Sequence, residues 1–195
     1  NCGGAVGSIF TVLGENGINL AGYVLYGPAT LLVYTRKVYD SYKTSSFLLG
    51  HDNEYHLMRE DIKCPEKGKI YSVNEGNYNR WDPQIQEWNN YIKKTHSLRY
   101  SGALVVDAHR VLMEGGIFAY PPDSKNKHGK LRFLYEVLPF NFIFEKSGGK
   151  TAYQAFNTEA LPLSLNESNK RAPLVIGSRQ EISKYLETIH NQDYT

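Results

Sequence analysis

Cysteine is scarce in this 195-residue sequence, with Cys2 and Cys64 as the only two. Two cysteines are too few for a disulfide framework, and their separation does not match the spacing of a metal site. The sequence also lacks an apolar run long enough to span a bilayer, and its start, NCGGAVGSIF, lacks the basic region of a signal peptide. We therefore expect a reducing, cytoplasmic setting, with the chloroplast or another organelle as the alternative, and no membrane partner.

A strong charge of one sign is missing as well. The 22 Lys and Arg residues nearly balance the 20 Asp and Glu residues, for a formal net charge of +2. This balance gives no bulk attraction to nucleic acid, so no nucleic-acid partner is predicted. Hydrophobic residues make up 41% of the sequence, which excludes a disordered chain. The length suits one good-sized domain, or one domain with part of another.

Apolar patterns separated by turn signals predict both strands and helices. The predicted strands are 6–13, 29–36, a hairpin over 45–50 and 54–59, 69–73, 117–120, 150–156 and 172–178. The predicted helices are 80–94, 103–116, 139–149 and 181–190. Segment 20–27, LAGYVLYG, fits either a helix or a strand. The alternation in the second half favours a layered α/β fold with mixed sheets flanked by helices, and the polar stretch 60–69 is a candidate domain boundary.

The stretch NKHGKLRFLYE, residues 126–136, combines charge with apolar residues. A strand here would have an apolar face formed by Leu131, Phe133 and Tyr135. Its other face would be charged and would carry Lys130, Arg132 and Glu136. In one interpretation the charged face is solvated and carries a weak ion pair worth ~0–1 kcal/mol. In the other, Lys130 and Arg132 hold an anionic ligand beside a divalent cation bound by Glu136.

Three further segments carry polar residues that can be structural or can bind a ligand. Arg99 and Tyr100 precede a helix that begins near Gly102, and a helix N-terminus attracts anions. Within that helix, the cluster Asp107, His109 and Arg110 is better explained as structural hydrogen bonding than as a catalytic dyad, because adjacent helical residues do not face each other. Two loop positions remain open in the same way: Asn74 in the turn NEGN and Tyr120 at a strand end.

Taken in order, KIYSVNEGN, SLRYSGALVVDAHR, GGIFAYP, GKLRFLYE and EKSGGK resemble the class 1 fructose-1,6-bisphosphatase family. The resemblance runs from Cys2 to about Tyr185. In that family the run DPLDGSS directly precedes the segment that NCGGAVGSIF resembles. The chain is therefore expected to be a C-terminal portion, with the N-terminal part missing. The implied fold is a layered α/β sandwich of the sugar phosphatase type. Residues 1–62 would be the tail end of the metal and phosphatase domain, and residues 63–195 the substrate-binding domain.

The resemblance implies a phosphatase that hydrolyses the 1-phosphate of D-fructose 1,6-bisphosphate with a metal-activated water, a step of gluconeogenesis. It assigns no catalytic residue to this chain. The residues that it implies for binding the 6-phosphate are Asn74, Arg99, Tyr100, Tyr120 and Lys130. Arg132 would lie at the other end, near the metal and the 1-phosphate. Glu136 would bind Mg²⁺, or Mn²⁺ or Zn²⁺. Arg99 would reach the site of a neighbouring subunit in a homo-oligomer, expected to be a tetramer.

Two alternatives to this function stay open. A sedoheptulose-1,7-bisphosphatase shares similar segments, although DAHR and GGIFAYP favour the fructose enzyme. A non-catalytic sugar-phosphate-binding module could lose Glu136. The sequence also departs from the family at Asn77, where a tyrosine often follows the NEG turn, so one phosphate-binding hydroxyl is absent or comes from Tyr78. Because most metal carboxylates of the family lie in and before DPLDGSS, these residues alone are expected to be inactive.

Overall fold

The computed structural model describes residues 4–14, 17–153 and 170–190. Its strands are β1 (Val6–Gly14), β2 (Gly17–Tyr26), β3 (Thr30–Val38), β4 (Ser41–Leu49), β5 (Tyr55–Arg59), β6 (Ile70–Val73), β7 (Ser97–Leu98), β8 (Ile117–Tyr120), β9 (Leu131–Arg132), β10 (Lys150–Thr151), β11 (Arg171–Ala172) and β12 (Leu174–Gly177). Its helices are α1 (Pro83–Thr95), α2 (Leu104–Glu114), α3 (Leu138–Lys146) and α4 (Arg179–His190). A 3₁₀ helix covers Glu75–Arg80 and a π-helical turn covers Phe133–Val137.

The first sheet is an antiparallel meander in the order β1-β2-β3-β4-β5. The predicted hairpin is confirmed as β4 and β5. The ambiguous segment 20–27 belongs to strand β2, which pairs with both β1 and β3. One face of this sheet is buried through Ala21, Tyr23 and Val33, and the Tyr23 ring stacks on Phe140 of α3 at a centroid distance of 5.5 Å. The meander therefore packs against the helix layer behind it.

The second sheet is mixed and has the order β10-β12-β8-β6-β7. Strand β6 runs parallel to β7 and β8, while β12 runs antiparallel to β8 and β10. One apolar cluster joins the first sheet, α2, α3 and one face of the second sheet; another joins the opposite face to α1 and α4. The layers are thus sheet, helices, sheet, helices, which confirms the predicted α/β fold with mixed sheets flanked by helices.

The predicted helices 80–94 and 139–149 are present, with small differences at their ends. Pro83 and Pro139 lie in the first turns of α1 and α3, where a missing N–H costs nothing. Within the described residues, Asp82 at the start of α1 makes no capping hydrogen bond with its side chain. Gly148 follows α3 with φ +84°, the left-handed conformation that favours glycine after a helix. Of the helices described here, none is both long and apolar enough to cross a bilayer.

The predicted strand over 126–136 is wrong in most of its length. Only Leu131–Arg132 are extended, paired with β11, before the chain turns into a π-helical turn that leads to α3. Phe133 and Val137 are both buried in the core shared with α2 and α3, whereas Tyr135 is 51% exposed. Leu131, Phe133 and Tyr135 therefore do not share one apolar face. A strand would place Phe133, Tyr135 and Val137 on one face, so the burial of the first and last with Tyr135 exposed favours helical turns over strand alternation at this point.

The predicted strand 150–156 is short. Strand β10 covers Lys150–Thr151, and residues 154–156 lie outside the described part of the chain. The predicted strand 172–178 divides into β11, which pairs with β9, and β12, which joins the second sheet.

Candidate functional site

Three parallel strands bring separate polar residues to one edge of the second sheet. Asn74 directly follows β6, Tyr100 lies two residues after β7, and Tyr120 ends β8. Because β6, β7 and β8 run in the same direction, their carboxyl ends meet at this edge, where ligands of α/β sheets commonly bind. A cavity of about 340 Å³ lies there. Its lining consists of Asn74, Tyr100, Gly102, Leu104, Asp107, Phe118, Tyr120, Lys130, Leu131 and Glu136.

Asn74 and Tyr100 lie next to each other in this lining. The Asn74 side-chain oxygen Oδ1 accepts the Gly76 N–H at 3.1 Å, which orients the amide at the start of the 3₁₀ helix. Partial burial raises the pKa of Tyr100; nearby Tyr120 and Asp107 raise it further, and a hydrogen bond with Asn74 partly opposes them. The Tyr100 phenol thus keeps its proton at neutral pH and can donate it to an anion.

Asp107 is a fully buried carboxylate at the wall of the same cavity. Both of its oxygens accept the Ser101 N–H at 3.0 Å, and Oδ2 also accepts the Gly102 N–H at 3.2 Å. Arg110 Nη1 donates to Asp107 Oδ1 at 3.1 Å. This arrangement agrees with the structural interpretation of Asp107 and Arg110.

His109 of α2 is occupied elsewhere. Its Nδ1 lies 2.8 Å from the Tyr23 hydroxyl on the first sheet. Burial lowers the pKa of His109, and the charges of Arg110 and Arg59 lower it further. His109 is therefore a partly buried partner of Tyr23 and does not form a dyad with Asp107.

Lys130 reaches the cavity at the end of a loop that Asp123 organises. Asp123 Oδ1 accepts the N–H groups of Lys125 and Asn126 at 2.9 and 2.7 Å. The Lys130 carbonyl accepts a bond from Arg171 Nη1 at 2.9 Å, which ties the end of this loop to β11. The backbone of Lys130 is thus anchored, and the residue lines the cavity.

Glu136 lies between two cavities. It lines the cavity that contains Lys130 and also a second, open cavity of about 510 Å³. The second cavity is otherwise lined by Gly4, Ala5, Val6, Gly7, Ile9, Ser101, Gly102, Ala103, Leu104 and Val105. Oε2 of Glu136 accepts the backbone N–H of Arg132 at 2.7 Å, so the carboxylate is held in place by the chain segment next to it.

Arg99 and Arg132 are not brought into this lining. Arg99 is exposed, and its Nη1 donates to the Leu98 carbonyl at 3.0 Å. Arg132 is exposed on the ribbon of β9 and β11, directly opposite Arg171. The structure therefore groups Asn74, Tyr100, Tyr120, Lys130 and Glu136, and leaves the two arginines outside.

Tyr78 also points away from the cavity. Its hydroxyl accepts a bond from Asn90 Nδ2 at 2.9 Å, and its ring packs on Trp81. Asn77 instead lies beside Asn74 and Tyr120 in a narrow cleft. Tyr78 therefore lies outside the lining of this cavity, and a phosphate-binding hydroxyl supplied by Tyr78 stays a prediction.

Two residues of the cavity lining, Leu104 and Phe118, were not singled out from the sequence. Leu104 lies in the first turn of α2, and Phe118 lies two residues before Tyr120 in β8. Phe118 shares a strand face with Tyr120, and that two-residue spacing is a signal that could have found it. Leu104 carries no such signal, because its position depends on how α2 packs between the sheets.

The described part of the chain offers few side chains that could bind a metal ion. Across residues 4–14, 17–153 and 170–190, no group of three or more His, Cys, Asp or Glu side chains is arranged to hold one. Glu136 offers a single carboxylate that faces both cavities, and Asp107 is already committed to backbone N–H groups and Arg110. One carboxylate can contribute to a divalent-cation site in which phosphate oxygens and water supply the remaining ligands.

Comparisons with known proteins agree on one family. The family model described as "Fructose-1-6-bisphosphatase, C-terminal domain" matches residues 64–190. The class 1 fructose-1,6-bisphosphatase of Nostoc punctiforme is 42% identical over 175 residues, which cover 88% of this chain and 48% of that protein. The relative from Sorangium cellulosum is 42% identical over 181 residues, covering 88% and 50%.

A solved structure of Leishmania major fructose-1,6-bisphosphatase in its T-state superimposes with a TM-score of 0.84 at 35% identity. It covers 96% of this chain and 65% of the Leishmania chain. The chain spans about half the length of the curated relatives that it matches.

Proposed function

The chain belongs to the fructose-1,6-bisphosphatase family, and from this membership we propose that the complete protein hydrolyses the 1-phosphate of D-fructose 1,6-bisphosphate. The products would be fructose 6-phosphate and inorganic phosphate, in a cytoplasmic step of gluconeogenesis. In this proposal, residues 63–195 bind the substrate and residues 1–62 form the tail end of the metal and phosphatase domain.

The observation that carries the proposal is the grouping of hydrogen-bond donors around one cavity. Asn74, Tyr100, Tyr120 and Lys130 come from four separate segments and line the same space, with Glu136 in the same lining. A phosphate dianion is best held by several donors of which at least one is charged. These four side chains supply an amide, two phenols and an ammonium group, which suits the 6-phosphate.

Glu136 suits the other end of the substrate. We propose that it is one ligand of Mg²⁺, with Mn²⁺ or Zn²⁺ as alternatives, and that Arg132 lies near the 1-phosphate. A bound divalent ion would supply a more acidic water and neutralise charge on the reacting phosphate. The residues of this chain contribute by gripping the remote phosphate, because binding energy from a non-reacting group positions the group that reacts.

Arg99 is proposed to serve a neighbouring subunit. It is exposed, and it lies outside the cavity that Tyr100, the next residue, lines. An arginine that points away from its own site can complete the phosphate site of a second copy, as in a homo-oligomer, which we propose to be a tetramer.

Steady-state kinetics of the complete protein in Mg²⁺ test the proposed function. Fructose 1,6-bisphosphate is expected to have the highest kcat/KM, above that of sedoheptulose 1,7-bisphosphate. A higher kcat/KM for the seven-carbon sugar would assign the protein to the alternative phosphatase. Tight binding of fructose 6-phosphate without any release of phosphate from either bisphosphate would show a non-catalytic binding module.

A further inference from the structure

Asp107 poses an electrostatic problem for a cavity that binds an anion. Its carboxylate is fully buried and lines the space in which we place the 6-phosphate. A negative charge at this position repels a phosphate, and a buried charge without partners is costly. We therefore ask which interactions of the carboxylate offset the cost of burying its charge next to an anion site.

The hydrogen bonds of Asp107 show what it holds. Asp107 lies in the first turns of α2, yet its side chain does not cap that helix. It accepts the N–H groups of Ser101 and Gly102, which belong to the loop before the helix. Gly102 has φ +82°, so the loop turns sharply where the carboxylate holds it. These bonds fix the backbone immediately after Tyr100.

Arg110 fixes the backbone on the other side of Tyr100. Its Nη1 donates to Asp107 Oδ1 at 3.1 Å and to the Arg99 carbonyl at 3.3 Å. Arg110 also offsets the negative charge of Asp107. Tyr100 is thus flanked by residues whose backbone atoms are tied, on both sides, to a single pair of side chains on α2.

We propose that Asp107 and Arg110 are positioning residues for the remote phosphate, which act by holding Arg99 and Tyr100 in their binding geometry. This inference rests on the proposed function. Neither side chain needs to touch the substrate. Loss of the pair should weaken the grip on the end that does not react, which raises KM, and should leave the chemical step at the other end largely intact.

The experiment compares the complete wild-type protein with Asp107→Asn. The amide has nearly the same shape, but its N–H₂ group opposes the N–H groups of Ser101 and Gly102. We expect KM for fructose 1,6-bisphosphate and Kd for fructose 6-phosphate to rise roughly tenfold, and kcat to change less than about threefold. A merely structural residue would reduce the concentration of active enzyme, and hence kcat, without changing KM.

Arg110→Gln is the second variant, because it is partly exposed and decides the question if Asp107→Asn does not fold. It should raise KM in the same way, and Arg110→Lys should recover part of the loss. Glu187→Gln is the matched control: Glu187 pairs with Lys184 at the same spacing of three residues, but on the exposed surface of α4. It should leave both kinetic constants unchanged.

The outcomes separate the two proposals. If the wild type does not hydrolyse fructose 1,6-bisphosphate, the proposed function fails, and the positioning role falls with it. If the wild type is active and the folded variants keep the wild-type KM, only the positioning role is overturned. A fall in kcat at constant KM would likewise overturn the positioning role alone.

Discussion

The backbone N–H of Arg132 donates to Oε2 of Glu136 at 2.7 Å, across the junction between β9 and the π-helical turn. Short π-helical segments occur frequently at functional sites, since they redirect individual side chains. Here the bond fixes one carboxylate oxygen, and the carboxylate faces both cavities. The orientation of Glu136 is therefore set before any ligand binds.

Glu136→Gln tests this carboxylate as a metal ligand. Its amide oxygen can still accept the Arg132 N–H, so the fold and Tm should stay near those of the wild type. We expect kcat to fall roughly a hundredfold at fixed Mg²⁺, because a neutral ligand binds the cation more weakly. The measurement is kcat as a function of Mg²⁺ concentration. An unchanged Mg²⁺ dependence would show that Glu136 is not a ligand.

Arg99→Ala tests whether Arg99 acts across a subunit boundary. Alone, this variant should raise KM with a small effect on kcat, because the role that we propose for Arg99 is to hold the end of the substrate that does not react. Co-refolded with Glu136→Gln, it should form hybrid oligomers in which some sites combine an intact Glu136 with an intact Arg99 from the neighbour. These sites should restore turnover at low substrate concentration. A mixture that shows only the summed activities of the two variants would place Arg99 in its own site.

His109 should make the stability sensitive to acid. Its pKa is lowered in the folded state below the ordinary value of 6.5. As the pH falls below about 6.5, the unfolded chain takes up a proton that the folded chain resists, so the free energy of unfolding decreases until the folded pKa is passed. In urea unfolding at pH 7.5 and 5.5, His109→Gln should show a smaller decrease than the wild type. An equal or larger decrease would assign the acid sensitivity to other groups.

Two glycines with the same backbone conformation should differ in what they tolerate. Gly129 has φ +83° and Gly148 has φ +84°. A Cβ at Gly129 would clash with the backbone of Ala172 and Pro173, whereas nothing lies within 4 Å of a Cβ at Gly148. Gly148→Ala should cost only the left-handed conformation, ~1–2 kcal/mol.

Gly129→Ala should cost at least ~1 kcal/mol more, because the loop that ends at Lys130 must move. Chemical denaturation of both variants gives the difference. Equal losses would mean that the loop accommodates the methyl group.

The sequence predicted the layered fold because most of its elements follow their local patterns. The apolar strands of the first sheet, except the ambiguous segment 20–27 in β2, and helices α1 and α2 were found in this way. Asn74 and Tyr120 lie at the ends of two predicted strands of the second sheet, 69–73 and 117–120, whereas strand β7 before Tyr100 was not predicted. The three residues meet because β6, β7 and β8 run in the same direction. That order of strands was not visible in any single motif.

Other features depended on contacts distant in sequence. Leu131, Phe133 and Tyr135 recur at the two-residue spacing of a strand. Phe133 and Val137 nevertheless pack in the core shared with α2 and α3, and the segment from Phe133 to Val137 is helical. The individual hydrogen bonds around Asp107 could not be predicted from the sequence either. We predicted structural hydrogen bonding for Asp107 and Arg110 from the sequence, but the bonds that Asp107 accepts from Ser101 and Gly102 depend on the loop before α2 folding back over the helix.

A crystal structure of the complete protein with fructose 6-phosphate tests the central proposal most directly. We predict phosphate oxygens about 3 Å from the Asn74 amide nitrogen, the Tyr100 and Tyr120 hydroxyls and Lys130 Nζ. The C1 end of the sugar should point towards Glu136. A phosphate bound away from these four side chains, or a sugar in the reverse orientation with its phosphate at Glu136, would contradict the account.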